Sequence, residues 1–308
     1  MLYSSEKNEI SMVLSGDAMI TRPLSVFDEP QFLALSYIFK KSDVGFTNLE
    51  MLMHDYGISP GIPGGVFAAS DPKNLKELEW FGVNMVATAN NHSWDYSENG
   101  ILNHLDNLNK TNLIHSGIGK NLSEARAPGY METKAGRVAL ISLTTTFPDA
   151  GRAVHQRPDS VGRPGVNPLG YEQIHKVPKD QVNLLKELAN KIGFKQEFSR
   201  KKLNDNQIDF ITKIFEESND FSTEIQINHN DQDEIIKWIK DAKKAADWVL
   251  VSIHCHEDPP GGYSFNGENT PEFLREFSKS VVDAGADIVA GHGPHVMRGM
   301  ELYNNKPI

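Results

Sequence analysis

The stretch IVAGHGPHVM, residues 288–297, runs from a short apolar segment straight into two histidines held between glycines and a proline. Gly and Pro make turns, so the segment reads as a buried strand that ends in a loop carrying His292 and His295. What those imidazoles do depends on how the other strands end. Short runs rich in β-branched residues recur at Ile10–Leu14, Val44–Thr47, Met85–Thr88, Val138–Leu143 and Trp248–Ile253, besides Ile288–Ala290. Helical periodicity separates them at Gln31–Lys40, Asp71–Phe81, Glu98–Lys110, Asp231–Ala245 and Pro271–Ala284. Asp71-Pro72 and Thr270-Pro271 place a capping oxygen before a proline suited to the first helical turn. Strands alternating with helices predict βαβ units and a layered α/β sandwich.

The strand ends share a chemistry. The first runs into Gly16-Asp17, the second into Asn48-Leu49-Glu50, and the third into Asn90-Asn91-His92. The Trp248 strand runs into His254-Cys255-His256, and the last into His292 and His295. Ligand sites of α/β sheets lie outside the carboxyl ends of the strands, so these side chains should converge at one edge. Mixed nitrogen and oxygen donors suit manganese, zinc or iron better than calcium or magnesium. The donors outnumber what one tetrahedral ion uses, which favours two divalent ions bridged by a carboxylate.

Composition narrows the class. The 308 residues, 39% hydrophobic and 23% charged, suffice for one large α/β domain, taken here as 1–308. The net charge of −10 argues against a general nucleic-acid binder but leaves an anionic substrate open, because bound cations dominate the local field. No apolar run is long enough to span a bilayer, so no membrane segment is expected. The charged N-terminus lacks the apolar region of a signal peptide, which leaves a cytoplasmic chain or one whose export segment was removed. Cys255 is the single cysteine, which excludes an internal disulfide framework.

The segment at about 149–230 differs from the rest. It opens with the Pro/Gly/Arg-rich run AGRAVHQRPDSVGRPGVNPLGY and continues through charged stretches, read as helical, near Lys179–Lys191 and Asn206–Glu217. With no strong strand signal, it is expected to be an insertion on the sheet edge. Arg152, Arg157 and Arg163 could close on a carboxylate or phosphate by bidentate hydrogen bonds; solvated loop charge is the alternative. Arg22 and Arg298, which follow the first and last motifs, are further candidates for binding an anionic substrate.

GDAMITR (16–22), FTNLE (46–50), ANNHSWDYSENGI (89–101), HSGIGKNLSEARAP (115–128), VLVSIHCHE (249–257) and GADIVAGHGPHVMRGMELYNNKPI (285–308) resemble the successive motifs of the bacterial poly-gamma-glutamate capsule synthesis (CapA) family. That family is similar in turn to the calcineurin-like metallophosphoesterases, which implies a four-layer α-β-β-α sandwich. By this resemblance Asp17 and His295 would bind a first metal, and Glu50 would bridge. Asn91, His254 and His292 would bind a second. His92 would be the general acid and Asp95 the group that orients it, with a plain helix cap as the alternative for Asp95. Met19 stands where an imidazole is usual, and His256 is an extra candidate ligand or proton donor. Relatives continue beyond Ile308, which suggests a trimmed chain.

Two functions follow from the resemblance. One is a metal-dependent hydrolase acting on a phosphoester or a γ-glutamyl amide. The other is a non-catalytic accessory protein that binds the anionic polymer, poly-gamma-glutamate, or components of the capsule synthase.

Overall fold

The computed structural model describes residues 9–61, 65–194, 203–260 and 267–308. The chain is mixed α/β, organised by two four-stranded sheets. The first is parallel, in the order Met12–Ala18, Val44–Leu49, Met85–Ala87 and Ile114–Ser116. The second runs Ile288–His292, Trp248–His254, Gly136–Thr144 and Gly129–Thr133, with only the last strand antiparallel to its neighbour.

Strand periodicity sorts side chains of these two sheets into three large buried groups. Val44, Phe46, Met85 and Ala87 of the first sheet meet Val138, Leu140, Leu250 and Ala290 of the second. Residues of opposite parity in the second sheet, among them Ile141, Val249, Val251 and Ile253, pack with Ile235, Ile239, Phe273 and Phe277 of the helices His229–Ala245 and Glu272–Asp283. Leu49 and Val86 pack with Phe39, Leu75, Leu78, Phe81 and Leu108 of the helices Pro30–Lys41, Asn74–Phe81 and Ser97–Leu108. Each large apolar side chain so buried contributes roughly 1.5–3 kcal/mol before the entropy of ordering it. Close approach needs glycine at one point: a Cβ on Gly45 would stand 2.3 Å from the carbonyl oxygen of Gly82, which ends its helix at φ 109°.

The segment after Thr144 departs from the sequence reading. It contains a third sheet, in the order Gln207–Phe210, Lys213–Glu217, Tyr171–Val177 and Ser222–Ile227. Lys179–Lys191 is helical as expected, but Asn206–Glu217 forms a hairpin rather than a helix. Its two-residue turn is Ile211-Thr212, at φ 49° and 67°. Such turns normally announce themselves with Asn or Gly, and this one does not. Arg152 donates to both oxygens of Asp231, at 2.8 and 2.7 Å, and the buried Arg126 donates to the same carboxylate at 2.8 Å. These contacts pin the start of the segment after Thr144 to the His229–Ala245 helix.

Asp287 ties the C-terminal hairpin to the second sheet. Its carboxylate accepts from Lys243 Nζ at 2.7 Å, Lys306 Nζ at 2.6 Å and the Val249 amide at 3.0 Å. Burial alone would raise its pKa, but these donors outweigh burial and hold it below the ordinary value. A depressed folded pKa adds stability above the unfolded value of about 3.9, and that stability is lost as the pH falls through the lower folded value. Asp287→Asn should therefore flatten the acid side of a plot of denaturant midpoint against pH. Equal slopes for variant and wild type below about pH 4 would refute the assignment.

Candidate metal centre

At the carboxyl ends of the strands the apolar layer between the sheets gives way to polar side chains. Two-residue periodicity places them there. After Leu250 come Ser252, His254 and His256 on one side of the chain, while Ile253 and Cys255 face the helices. Burial pushes the Cys255 thiol pKa up, so this thiol is core and not nucleophile. His292 follows Ala290 by two residues, pairs in register with His254, and stands 5.6 Å from the Phe46 ring.

The first sheet supplies the opposing oxygens. Asp17 Oδ1 accepts from Asn48 Nδ2 at 2.7 Å, and Asp17 Oδ2 accepts from the Gly293 amide at 3.1 Å. Asn48 Nδ2 also lies 3.2 Å from His254 Nδ1. Asn90 braces this strand end, donating to Leu49 O at 2.9 Å and to Asn48 Oδ1 at 3.3 Å. Asn48 and Asn90 were not singled out from sequence. For Asn48 the signal was parity, since it follows Phe46 by two residues.

Glu50 Oε1 is where three imidazoles meet. His256 Nε2 lies 3.7 Å away, His254 Nε2 3.8 Å and His92 Nε2 4.0 Å. Glu50, His254 and His256 are all buried, and their ligand atoms lie within 4.8 Å of one another, so this group could bind a metal ion. Asp17 Oδ1 is 3.7 Å from His254 Nδ1 and 4.0 Å from His292 Nδ1. The Asn91 side-chain oxygen, His254 Nε2, His256 Nε2 and both ring nitrogens of His292 are buried without a hydrogen-bond partner. Buried polar atoms rarely go unpaired, and a ligand to these atoms would account for them. The donor types, imidazole nitrogen with carboxylate and amide oxygen, fit a divalent transition metal.

Electrostatics agrees with this arrangement. Burial, and then the neighbouring His256 and His292, hold the His254 pKa well below its ordinary value. Burial takes His292 down to about 4, against the pull of Asp17. Both rings are therefore neutral near pH 7, the form a metal requires. His92 differs. Burial opposes its protonation, but the hydrogen bond and charge of Asp95, with the charges of Glu50 and Asp17, leave its pKa raised. His92 Nδ1 is 2.7 Å from Asp95 Oδ2, which also accepts from the Ala68 amide at 2.6 Å. The short helix Asn91–Trp94 that presents His92 is closed by reciprocal hydrogen bonds between Asn90 and Ser93.

The remaining candidates lie further out. His295 is exposed, with its ring 5.4 Å from that of His256. Met19 is 49% exposed, and Arg22 is exposed beyond the first strand. Arg163 donates to Arg152 O from Nε and Nη2 at 3.3 and 3.0 Å. Arg298 donates to Gly267 O, Glu257 O and Asp258 Oδ1 at 3.0, 2.9 and 3.2 Å, while its buried Nη1 has no partner. Arg163 and Arg298 thus brace loops.

Fold and site together are those of an α/β protein with a candidate metal centre at its strand ends, and sequence comparison agrees with the resemblance noted above. The model of the bacterial capsule synthesis protein family PGA_cap matches residues 11–308, and the chain belongs to that family. It is 30% identical over 97% of its length to the protein y4sH of Sinorhizobium fredii. It is 22% identical to the capsule biosynthesis protein CapA of Bacillus anthracis over 97% of its length, and 23% identical to the PGA biosynthesis protein CapA of Bacillus subtilis over 99%. The chain spans 64%, 57% and 62% of the lengths of these three relatives. Among the described residues no helix is long and apolar enough to cross a membrane.

Proposed function

We propose that the chain is a metal-dependent hydrolase-like protein of capsule synthesis, with a dinuclear site acting on a phosphoester or a γ-glutamyl amide. The convergence of three imidazoles on Glu50, with His254 Nε2 and His256 Nε2 buried and unpartnered, carries this reading. The three buried clusters support a four-layer α-β-β-α sandwich of the metallophosphoesterase type, as one domain carrying the segment at about 149–230 as an insertion. Glu50, His254 and His256 would hold one divalent ion, and Asp17, Asn91, His292 and His295 are the donors for a second. Manganese, zinc or iron suits these donors.

Such ions, when bound, polarise a phosphoryl or acyl oxygen and lower the pKa of water. The protein residues supply the rest. Asp95 fixes the His92 ring and its carboxylate favours the charged form, so Nε2 carries a proton toward the space in front of Glu50. From there it can protonate a leaving group. Arg22 and the unpartnered Nη1 of Arg298 are the candidates for holding an anionic substrate.

A second reading, a non-catalytic accessory protein that binds poly-gamma-glutamate or the synthase, draws on the names of the two Bacillus relatives, which describe biosynthesis. Elemental analysis after loading with manganese, zinc or iron, followed by a screen of phosphodiesters, phosphomonoesters and γ-glutamyl peptides, separates the two. Metal with turnover supports the hydrolase. Polyglutamate binding without turnover supports the accessory role, and a chain that retains no metal overturns the hydrolase reading.

A further inference from the structure

We infer that Glu257 is a positioning residue that aims His256 at Glu50, and that Tyr171 draws the inserted segment into the same task. The inference rests on Glu50, His254 and His256 binding a metal ion. Glu257 directly follows His256, and the residue is 8% exposed. Three hydroxyls converge on it. Thr145 Oγ1 donates to Oε2 at 2.5 Å, Thr146 Oγ1 lies 3.0 Å from both oxygens, and Tyr171 Oη donates to Oε1 at 3.1 Å. No cation pairs with this carboxylate among the described residues. A side chain buried merely to balance charge would sit against one.

The hydroxyls couple Glu257 to its neighbour. Thr146 Oγ1, which donates to Glu257, also accepts from the His256 amide at 2.9 Å. From the other side Arg298 Nη2 donates to the Glu257 carbonyl at 2.9 Å. Residues 256–257 are therefore fixed at the amide that opens the pair, the carbonyl that closes it and the carboxylate between. Little freedom remains except at the His256 ring, whose Nε2 ends 3.7 Å from Glu50 Oε1. His256 lies beyond the last residue of its strand, so the sheet ladder no longer holds it. A ligand on a loop needs such support, because a metal site tolerates little displacement of its donors.

Tyr171 opens the first strand of the inserted sheet, pairing with Ile227, and its ring lies 5.6 Å from that of Phe273. Burial and the Glu257 carboxylate raise its pKa, so the phenol stays protonated and remains a donor. The inserted sheet thus reaches the metal centre through one hydroxyl.

Cobalt(II) titration of the full chain, followed by visible absorption and by competition with a chelator, tests the inference. Glu257→Ala should weaken cobalt binding roughly 10- to 100-fold, as the loss of partners behind metal ligands does, with altered visible bands from a displaced imidazole. Tyr171→Phe should move both readouts the same way by less. Glu257→Gln keeps an acceptor oxygen for the hydroxyls and should restore most of the affinity. Wild-type affinity and spectrum in Glu257→Ala would overturn the clamp alone. Glutamine as weak as alanine would also overturn it, because charge and not aim would then be the cause. A wild type without cobalt bands overturns the metal reading and the clamp together. Should Glu257→Ala fail to fold, unchanged cobalt affinity and spectrum in Tyr171→Phe would decide against the proposal.

Discussion

His254→Ala is expected to lose most of its divalent metal, with affinity falling more than about 100-fold, since even the partners behind metal ligands are worth roughly 10- to 100-fold. The imidazole is fully buried and its two nitrogens face different carboxylates, Nδ1 toward Asp17 and Nε2 toward Glu50. Removing it therefore touches the surroundings of both carboxylates. Metal that binds the folded state alone raises stability, by about 2.7 kcal/mol at a hundredfold excess over Kd. In wild type, manganese or zinc should thus raise the thermal midpoint, and in His254→Ala the rise should vanish. Comparing loaded with metal-free protein within each variant cancels the cavity left by alanine. An equal rise in both proteins would show that metal, if bound, sits elsewhere.

The strand ends pointed to one edge of the sheets, and parity, which that reading did not use, says which side chains share a face there. Leu250, His254 and His256 differ by even steps, as do Phe46, Asn48 and Glu50, so chains that bury the first of each set between the sheets must direct the others to the same side. The strand ends were placed too early, because Asp17, His254 and His292 still pair with their neighbours. Glycine and aspartate are depleted in strands, yet pairing with a single neighbour carries the edge strands Met12–Ala18 and Ile288–His292 on, and Trp248–His254 is held from both sides. The third sheet was hidden for a different reason. In Asn206–Glu217 the apolar residues Ile208, Ile211 and Phe215 also fit helical spacing, although Ile211 is 60% exposed at the turn. Least legible were contacts that join distant segments. Nothing in the order of residues announces that Tyr171 reaches Glu257, or that Arg163 turns toward the carbonyl of Arg152. Such pairings follow only from how the segment after Thr144 folds back.

The last expectation separates chemistry from metal binding. His92 and Asn91 are adjacent, yet the short capped helix aims them differently. The Asn91 oxygen is buried without a partner, while His92 keeps one nitrogen on Asp95 and directs the other toward Glu50. If turnover is found, His92→Asn should lose roughly 10²- to 10⁴-fold in kcat, the range a positioned acid contributes, with metal content near that of wild type. Asp95→Asn should lose less, because the imidazole stays and only its orientation and charge preference weaken. A substrate whose leaving group has a low pKa needs no proton, and should recover much of the rate in both variants. The reason is physical: an acid lowers the barrier only insofar as the departing oxygen or nitrogen would otherwise leave as a strong base. An equal loss on good and poor leaving groups, or loss of the metal itself, would make His92 a ligand or a support for the site and not its acid.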